Sequence, residues 1–169
     1  MKPRDADRKG RLADAAIEVL GHEGVRALTH RAVDTRAGLP QGTCSYHFPT
    51  RNALLTAVLE RIAELDLADV DRGDLGAVLG EWAGSHRTRV RFMLMLDPQA
   101  RRELGEAAAR LVDGFVERAE RLTGSRERAR LLIGLIDGLL LDELTRGTVA
   151  DAARRERLEA VRRIVASSP

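Results

Sequence analysis

Helix-stopping residues recur so closely between Gly21 and Pro49 that any helix in this stretch must be short. Gly38 stands where a left-handed stop residue belongs, at the end of a helix of about residues 30–37. A second short helix, of about residues 41–47, must end before Pro49, because proline lacks an amide hydrogen and disfavours helical geometry in the residue before it. The sequence therefore predicts two short helices joined by a tight, glycine-containing turn.

The composition extends this helical prediction to the whole chain. Leu, Ala and Arg, which are good helix formers, are abundant, whereas aromatic residues make up only 3%. With 44% hydrophobic and 32% charged residues, the 169-residue chain is expected to be a folded, all-α protein. Apolar periodicity predicts the remaining helices at about residues 8–20, 51–67, 75–97, 99–122, 126–146 and 151–166, with a loop at 69–76.

Positive charge is concentrated in the N-terminal third of the chain. Residues 1–51 contain nine Lys or Arg and six Asp or Glu, whereas the remaining residues contain nineteen and twenty. From Gly24 to Arg51 the sequence contains four arginines and a single acid, Asp34. This distribution indicates a modestly basic surface in the N-terminal third that suits a polyanionic partner.

Other features exclude whole classes of protein. Cys44 is the single cysteine, so no intramolecular disulfide is possible, and we expect it to be a small packed side chain. No signal peptide is visible after Met1. The longest apolar stretch, Leu131–Leu144, is too short and too acidic to span a membrane. These features predict a cytoplasmic protein with no membrane partner.

Two short helices with a longer helix to pack on describe a helix-turn-helix. The run from Gly24 to Leu55 combines a Thr opening the first short helix, an Ala-Gly turn, Gly-Thr in the second, an aromatic-His-Phe end and a Pro-Thr-Arg start to the next helix. With this combination, residues from about Leu12 to Val58 resemble the N-terminal domain of TetR-family transcriptional regulators. The resemblance implies a DNA-binding domain over residues 1–50 and a helical ligand-binding and dimerisation domain over residues 51–169.

The resemblance also implies contacts with a double-stranded DNA operator. Gln41 and Thr43 are candidates for base contacts, since Gln pairs bidentately with adenine and the Thr methyl suits thymine. Gly42 would allow close approach, and Thr29 would meet a phosphate at a helix N-terminus. His30 and Arg31 are expected at the groove edge, with phosphate contacts from Tyr46, His47 and Arg51.

Asp34 departs from the family pattern, in which this position most often holds a small Ala. We expect Asp34 either to pair with Arg31, one turn back, or to remain at the edge of the packing. This departure leaves open a helical dimeric binding or scaffold protein whose helix-turn-helix does not bind DNA.

The C-terminal helices suit a dimer interface. The segment from Arg130 to Arg146 is apolar almost all round, so it is expected to be buried by the chain itself or by a partner. The resemblance implies a four-helix homodimer interface built from the last two helices, because a helix-turn-helix usually reads two half-sites related by two-fold symmetry. The predicted interface residues are Leu131, Gly134, Leu135, Gly138, Leu139, Leu158, Val161 and Val165.

Large, adaptable apolar side chains and a few polar groups occupy the middle helices and could line a pocket for a small-molecule effector. The predicted ligand-binding residues are Trp82, His86, Arg89, Phe92, Met93, Met95, Phe115 and Asp137. We predict a repressor that binds a palindromic operator as a dimer and is released by ligand, although an activator fits equally well. We expect no cofactor and no metal site.

An enzyme is the rival from another class. The four histidines show no metal-ligand spacing, and the sequence has neither a nucleophile elbow nor a phosphate-binding glycine loop. We therefore expect no catalytic activity.

Overall fold

The structure is a computed structural model, and it describes residues 3–72 and 75–167. Within these residues the chain forms nine α-helices, one 3-10 turn and no strand, which confirms the all-α prediction. The elements are α1 (Pro3–Glu23), the 3-10 turn (Val25–Ala27), α2 (His30–Ala37), α3 (Thr43–His47), α4 (Arg51–Asp71), α5 (Leu75–Ala83), α6 (His86–Leu96), α7 (Pro98–Thr123), α8 (Arg126–Arg146) and α9 (Asp151–Ser167).

The chain divides into two compact units. Unit 1 comprises residues 1–65 and 86–108, and in it α1 packs against α2 and α6. One face of α1 is buried between Leu12 and Leu20, because apolar residues recur there at helical spacing. Each such Leu or Val contributes about 1.5–3 kcal/mol when it is fully buried. The largest fully buried side chains of unit 1 are Leu12, Val19, Leu20, Leu28, Val33, Leu54, Leu55, Val58, Ile62 and Leu94.

Unit 2 comprises residues 66–85 and 109–169, and in it α9 packs against α5 and α8. A buried ion pair joins α8 to α9, with Nη2 of Arg154 2.7 Å from Oε2 of Glu143. The same guanidinium donates to Asp151 and to the carbonyl of Val149, so it spans the connection between the two helices. The hydrogen bonds that Arg154 donates to Glu143 raise the pKa of Arg154 above its ordinary value.

The structure corrects three predicted boundaries. The single helix predicted at 75–97 is two helices, α5 and α6, interrupted at Gly84 and Ser85, since glycine is a poor helix former. α4 continues to Asp71, so residues 69–71 of the predicted loop are helical, and Gly73 and Asp74 lie outside the described residues. α1 extends from Pro3 to Glu23, beyond the predicted 8–20 at both ends. Among the described helices, none is both long enough and apolar enough to cross a membrane.

Candidate nucleic-acid interface

The first short helix, α2, has the ends that the sequence predicts. The hydroxyl oxygen of Thr29 accepts a hydrogen bond of 3.1 Å from the backbone N–H of Ala32, as an N-cap does. Gly38 ends the helix with φ of 62°, a left-handed conformation that glycine adopts at little cost. These contacts hold α2 to eight residues.

The second short helix, α3, begins at Thr43 rather than at Gln41 as predicted. Gly42 precedes it with φ of 95°, a conformation that residues with a Cβ rarely adopt. Gln41 therefore lies in the turn, where its Nε2 is 3.2 Å from Oγ1 of Thr35. This backbone conformation favours glycine at position 42.

Asp34 connects the two short helices. Its side chain lies in α2 and is only 1% exposed. Oδ2 accepts from the backbone N–H of Gly42 at 2.8 Å, and Oδ1 accepts from that of Cys44 at 2.7 Å. Amide groups at the start of a helix have no partner within that helix, so the carboxylate caps α3 from outside. The expectation that Asp34 pairs with Arg31 or stays at the edge of the packing is wrong.

Cys44 is fully buried beside this carboxylate. Burial, together with the nearby negative charge of Asp34, raises the pKa of Cys44 to about 12. Because the thiolate is the reactive form of cysteine, this side chain is an inert packing group.

Two residues that are predicted to contact DNA form hydrogen bonds with backbone carbonyls of unit 1. Arg51 donates to the carbonyl of Leu28 at 2.6 Å and to that of Val25 at 2.7 Å. Nε2 of His30 hydrogen-bonds the carbonyl of Phe48 at 2.7 Å. Arg51 thereby holds the 3-10 turn to the start of α4, and His30 holds the start of α2 to the end of α3. Sequence reasoning could not find these roles, because the acceptors are 18 to 26 residues away.

The outer side of α3 is open to solvent. Tyr46 is 83% exposed, and its ring packs edge-on against His47 with centroids 5.0 Å apart. Gln41 and Arg31 are exposed as well, and Nε2 of Gln41 lies 3.5 Å from the carbonyl of Arg31. Thr43 is half-buried, and its hydroxyl donates to the carbonyl of Pro40 at 2.6 Å. The ring of Tyr46 is thus accessible from solvent.

The predicted ligand-binding residues fall into both units. Unit 2 holds Trp82, Phe115 and Asp137, and unit 1 holds His86, Arg89, Phe92, Met93 and Met95. Trp82 is buried, and its Nε1 donates to Oδ2 of Asp69 at 3.0 Å. In contrast, Arg89 and Met95 are exposed. Sequence reasoning missed the buried acids Asp66 and Asp69 at the end of α4. Asp69 falls within the segment predicted as a loop, and Asp66 falls shortly before it.

The predicted dimer residues differ between α8 and α9. On α9, Leu158, Val161 and Val165 are buried within the single chain. On α8, Gly134 and Gly138 are exposed, and a Cβ added at either would meet no atom within 4 Å. The predicted leucines of α8 are half-buried, at positions 131, 135 and 139. α8 thus leaves an apolar face open, whereas the predicted stripe of α9 is already covered.

A short exposed helix, capped from a preceding helix that itself packs on a longer one, is the arrangement of a helix-turn-helix, a class of DNA-binding motif. The profile described as "Bacterial regulatory proteins, tetR family" matches residues 12–58, and the profile "Tetracyclin repressor-like, C-terminal domain" matches residues 66–167. The chain belongs to the TetR family and is a ligand-responsive, DNA-binding transcriptional regulator.

Several solved structures are similar to this chain. Multidrug binding protein EbrR complexed with ethidium is 31% identical, with a TM-score of 0.72, 91% of this chain covered and 98% of that one. A TetR-family member, SCO1917 from Streptomyces coelicolor A3, is 28% identical, with a TM-score of 0.70 and coverages of 92% and 98%. NalD, the secondary repressor of the MexAB-OprM multidrug efflux pump in Pseudomonas aeruginosa, shares the fold at 21% identity, with a TM-score of 0.64 and coverages of 95% and 96%. No curated protein matches the chain.

Proposed function

We propose that the protein is a repressor that binds a palindromic operator as a homodimer and leaves it when a small aromatic cation binds. The observation that carries this proposal is the contrast across α3. Asp34 fixes the inner side of the helix through two backbone amides, while Tyr46 on the same helix is 83% exposed. A short helix held this firmly and left uncovered suits insertion into the major groove.

Individual DNA contacts follow from the exposed groups. We assign base contacts to Gln41 and Thr43, and phosphate contacts to Thr29, Tyr46 and His47. Arg31 is exposed beside Gln41 and adds a cation at the groove edge. We assign His30, Gly42 and Arg51 to shaping this surface, because their contacts or backbone geometry are structural. The functional DNA-binding domain is proposed to be residues 1–50.

The homodimer is proposed to form through the open face of α8. Gly134 and Gly138 would let a partner helix approach closely, and the half-buried leucines at 131, 135 and 139 supply apolar area. On α9 we assign the interface to the side bearing Ile164, which is 47% exposed, rather than to the buried stripe. Two-fold symmetry would place the two reading helices at half-sites about 34–36 Å apart.

The proposed ligand class rests on two buried acids and an aromatic ring in unit 2. Asp66 is fully buried on α4, one turn from the buried Asp69, which accepts from the indole of Trp82. Asp69 also forms an ion pair of 2.7 Å with Arg72. Carboxylates beside a ligand favour a cationic one, and tryptophan is the best aromatic face for a cation. EbrR has been crystallised with ethidium, proflavin and malachite green, all of which are aromatic cations. Ligand binding in residues 51–169 would shift the dimer population away from the spacing that fits the operator.

Two titrations test the proposal. In the first, the protein is titrated into labelled DNA from upstream of its own gene, with a scrambled duplex as control, at several salt concentrations. We expect selective binding that weakens as salt rises. The repressor proposal is contradicted if the protein binds both duplexes equally and if a selection from random duplexes also enriches no preferred site.

The second titration uses Trp82, the single tryptophan of the chain, as a probe of ligand binding in the absence of DNA. Malachite green should quench its fluorescence in the wild type and at least tenfold more weakly in Asp66→Asn. Asp71→Asn is the matched control, because Asp71 lies on the same helix but is exposed. Quenching that is equal in all three proteins contradicts the assigned ligand site.

We place the protein in the cytoplasm, where operator DNA is accessible. We assign it no catalytic role and no cofactor.

A further inference from the structure

Three side chains with metal-binding atoms meet where α1 contacts α6. Glu18 and His22 lie four residues apart on α1, and His86 is the first residue of α6. One ligand atom from each of the three lies within 4.8 Å of the other two. Oε2 of Glu18 is 3.2 Å from Nε2 of His22, and the two imidazole rings pack edge-on with centroids 4.1 Å apart.

The packing of the two helices produces this cluster. Positions i and i+4 share one face of a helix, so Glu18 and His22 project together from α1. Gly21 lies between them in sequence, and a Cβ added there would be only 2.9 Å from Cβ of His86. The absence of a side chain at position 21 therefore lets α6 approach closely enough for His86 to reach the pair. Sequence spacing could not reveal this site, since its third member comes from a distant helix.

We propose that Glu18, His22 and His86 form a binding site for Zn²⁺. Two imidazoles and one carboxylate are a ligand set that zinc accepts, with water completing the tetrahedron. Adjacent ligand atoms of tetrahedral zinc are about 3.3 Å apart, as bond lengths near 2.0–2.1 Å require, and the Glu18–His22 pair already has this spacing. Glu18 and His22 are exposed, so their side chains can rotate toward the metal without disturbing the core. Mg²⁺ and Ca²⁺ prefer oxygen ligands and fit this set poorly.

Zinc at this site would tie α6 to α1, the helix on which α2 packs. Both helices belong to unit 1, so the metal would stabilise the body that carries the helix-turn-helix. Binding to the folded state alone raises stability in proportion to the logarithm of metal concentration over Kd. The zinc site depends on neither the proposed operator nor the proposed ligand.

The first experiment measures metal binding in the DNA-free protein. Zn²⁺ is titrated against a chromophoric chelator, and Co²⁺ is added separately to record the visible absorption of a tetrahedral site. We expect one equivalent of metal in the wild type and at least tenfold weaker binding in Glu18→Gln, His22→Gln and His86→Gln. Glu23→Gln is the matched control, because Glu23 lies on α1 outside the cluster, and it should bind metal as the wild type does.

The second experiment measures thermal unfolding with and without a hundredfold excess of Zn²⁺ over Kd. We expect Tm to rise by about 5 °C or more in the wild type but not in His86→Gln, with Mg²⁺ ineffective in both. Absence of zinc binding in the wild type overturns the proposal. Full binding retained in His86→Gln also overturns it, because the metal would then not join the two helices.

Discussion

The carboxylate of Asp34 lies 2.7 Å from the backbone nitrogen of Cys44 and accepts its hydrogen bond. Through this contact, and a second one to Gly42, the first short helix caps the second. Most N-caps are the residue immediately before the helix, whereas this one comes from eight residues earlier. Asp34 thus holds the start of α3 against α2, while His30 holds the end of α3 through the carbonyl of Phe48.

We predict that Asp34→Ala destabilises the protein by about 2 kcal/mol, because the buried amide of Cys44 and the partly buried hydrogen bond of Gly42 lose their acceptor. Operator affinity should fall as well, since α3 would lose its fixed orientation. Urea unfolding and fluorescence anisotropy measure the two effects. Asp113→Ala is the control, because the ion pair of Asp113 with Arg126 is exposed and contributes little. Unchanged stability in Asp34→Ala would mean that water replaces the carboxylate at no cost.

The raised pKa of Cys44 predicts a pH dependence of stability. A free cysteine has a pKa of about 8.5, whereas burial and Asp34 raise that of Cys44 to about 12. The folded state therefore holds the thiol proton more tightly than the unfolded state. The stabilisation of the folded state by the protonated thiol is therefore complete below about pH 8.5 and is lost as pH rises toward 12.

The stability of the wild type relative to Cys44→Ala should fall by about 1.5 kcal/mol between pH 8.5 and 10. Urea unfolding of both proteins at each pH provides the measurement. A thiol reagent should react slowly with the folded protein at pH 8 and rapidly in urea. Fast reaction of the folded protein would contradict the buried, protonated thiol.

Two arginines of the helix-turn-helix should differ in the salt dependence of operator binding. Arg31 is exposed, so Arg31→Ala should lower the slope of log K against log salt by about one. Arg51 is bonded to two carbonyls, so Arg51→Ala should lower stability by about 1–3 kcal/mol and leave the slope unchanged. Anisotropy titrations across a salt series separate the two outcomes. If Arg51→Ala also lowers the slope of log K against log salt, Arg51 contacts a phosphate and its assignment as a structural residue is contradicted.

A charge on the open face of α8 should prevent dimerisation. We expect the wild type to sediment as a dimer and Gly138→Glu to sediment as a monomer, because the introduced carboxylate would be buried without a partner. Gly105→Glu is the control, since Gly105 is also exposed with no atom near its added Cβ, but it lies on α7 in unit 1. A dimer that persists in Gly138→Glu would place the interface elsewhere.

Features with a local cause could be predicted from the sequence. Thr29 caps α2 and Gly38 ends it, since each acts within four residues of its own position. Thr50 similarly accepts from the backbone N–H of Ala53 at the start of α4. Such signals predicted the two short helices and, with the resemblance, the class of protein.

Features that depend on distant partners could not be predicted. The sequence could not predict that Asp34 accepts hydrogen bonds from α3, because this role depends on how α3 packs against α2. The sequence predicts Arg51 as a phosphate contact but could not predict its hydrogen bonds to Leu28 and Val25, because these carbonyls lie more than twenty residues away. Similarly, periodicity showed that α9 has an apolar stripe but not whether Val161 would face its own subunit or a partner.

Selection of preferred sites from random duplexes tests the central claim most directly, because it does not depend on knowing the operator. The wild type should return a two-fold symmetric motif with half-sites about one helical turn apart. Tyr46→Ala should bind that motif at least tenfold more weakly, while its unfolding curve matches that of the wild type. Failure of the wild type to enrich any motif would contradict DNA reading by the exposed side of α3.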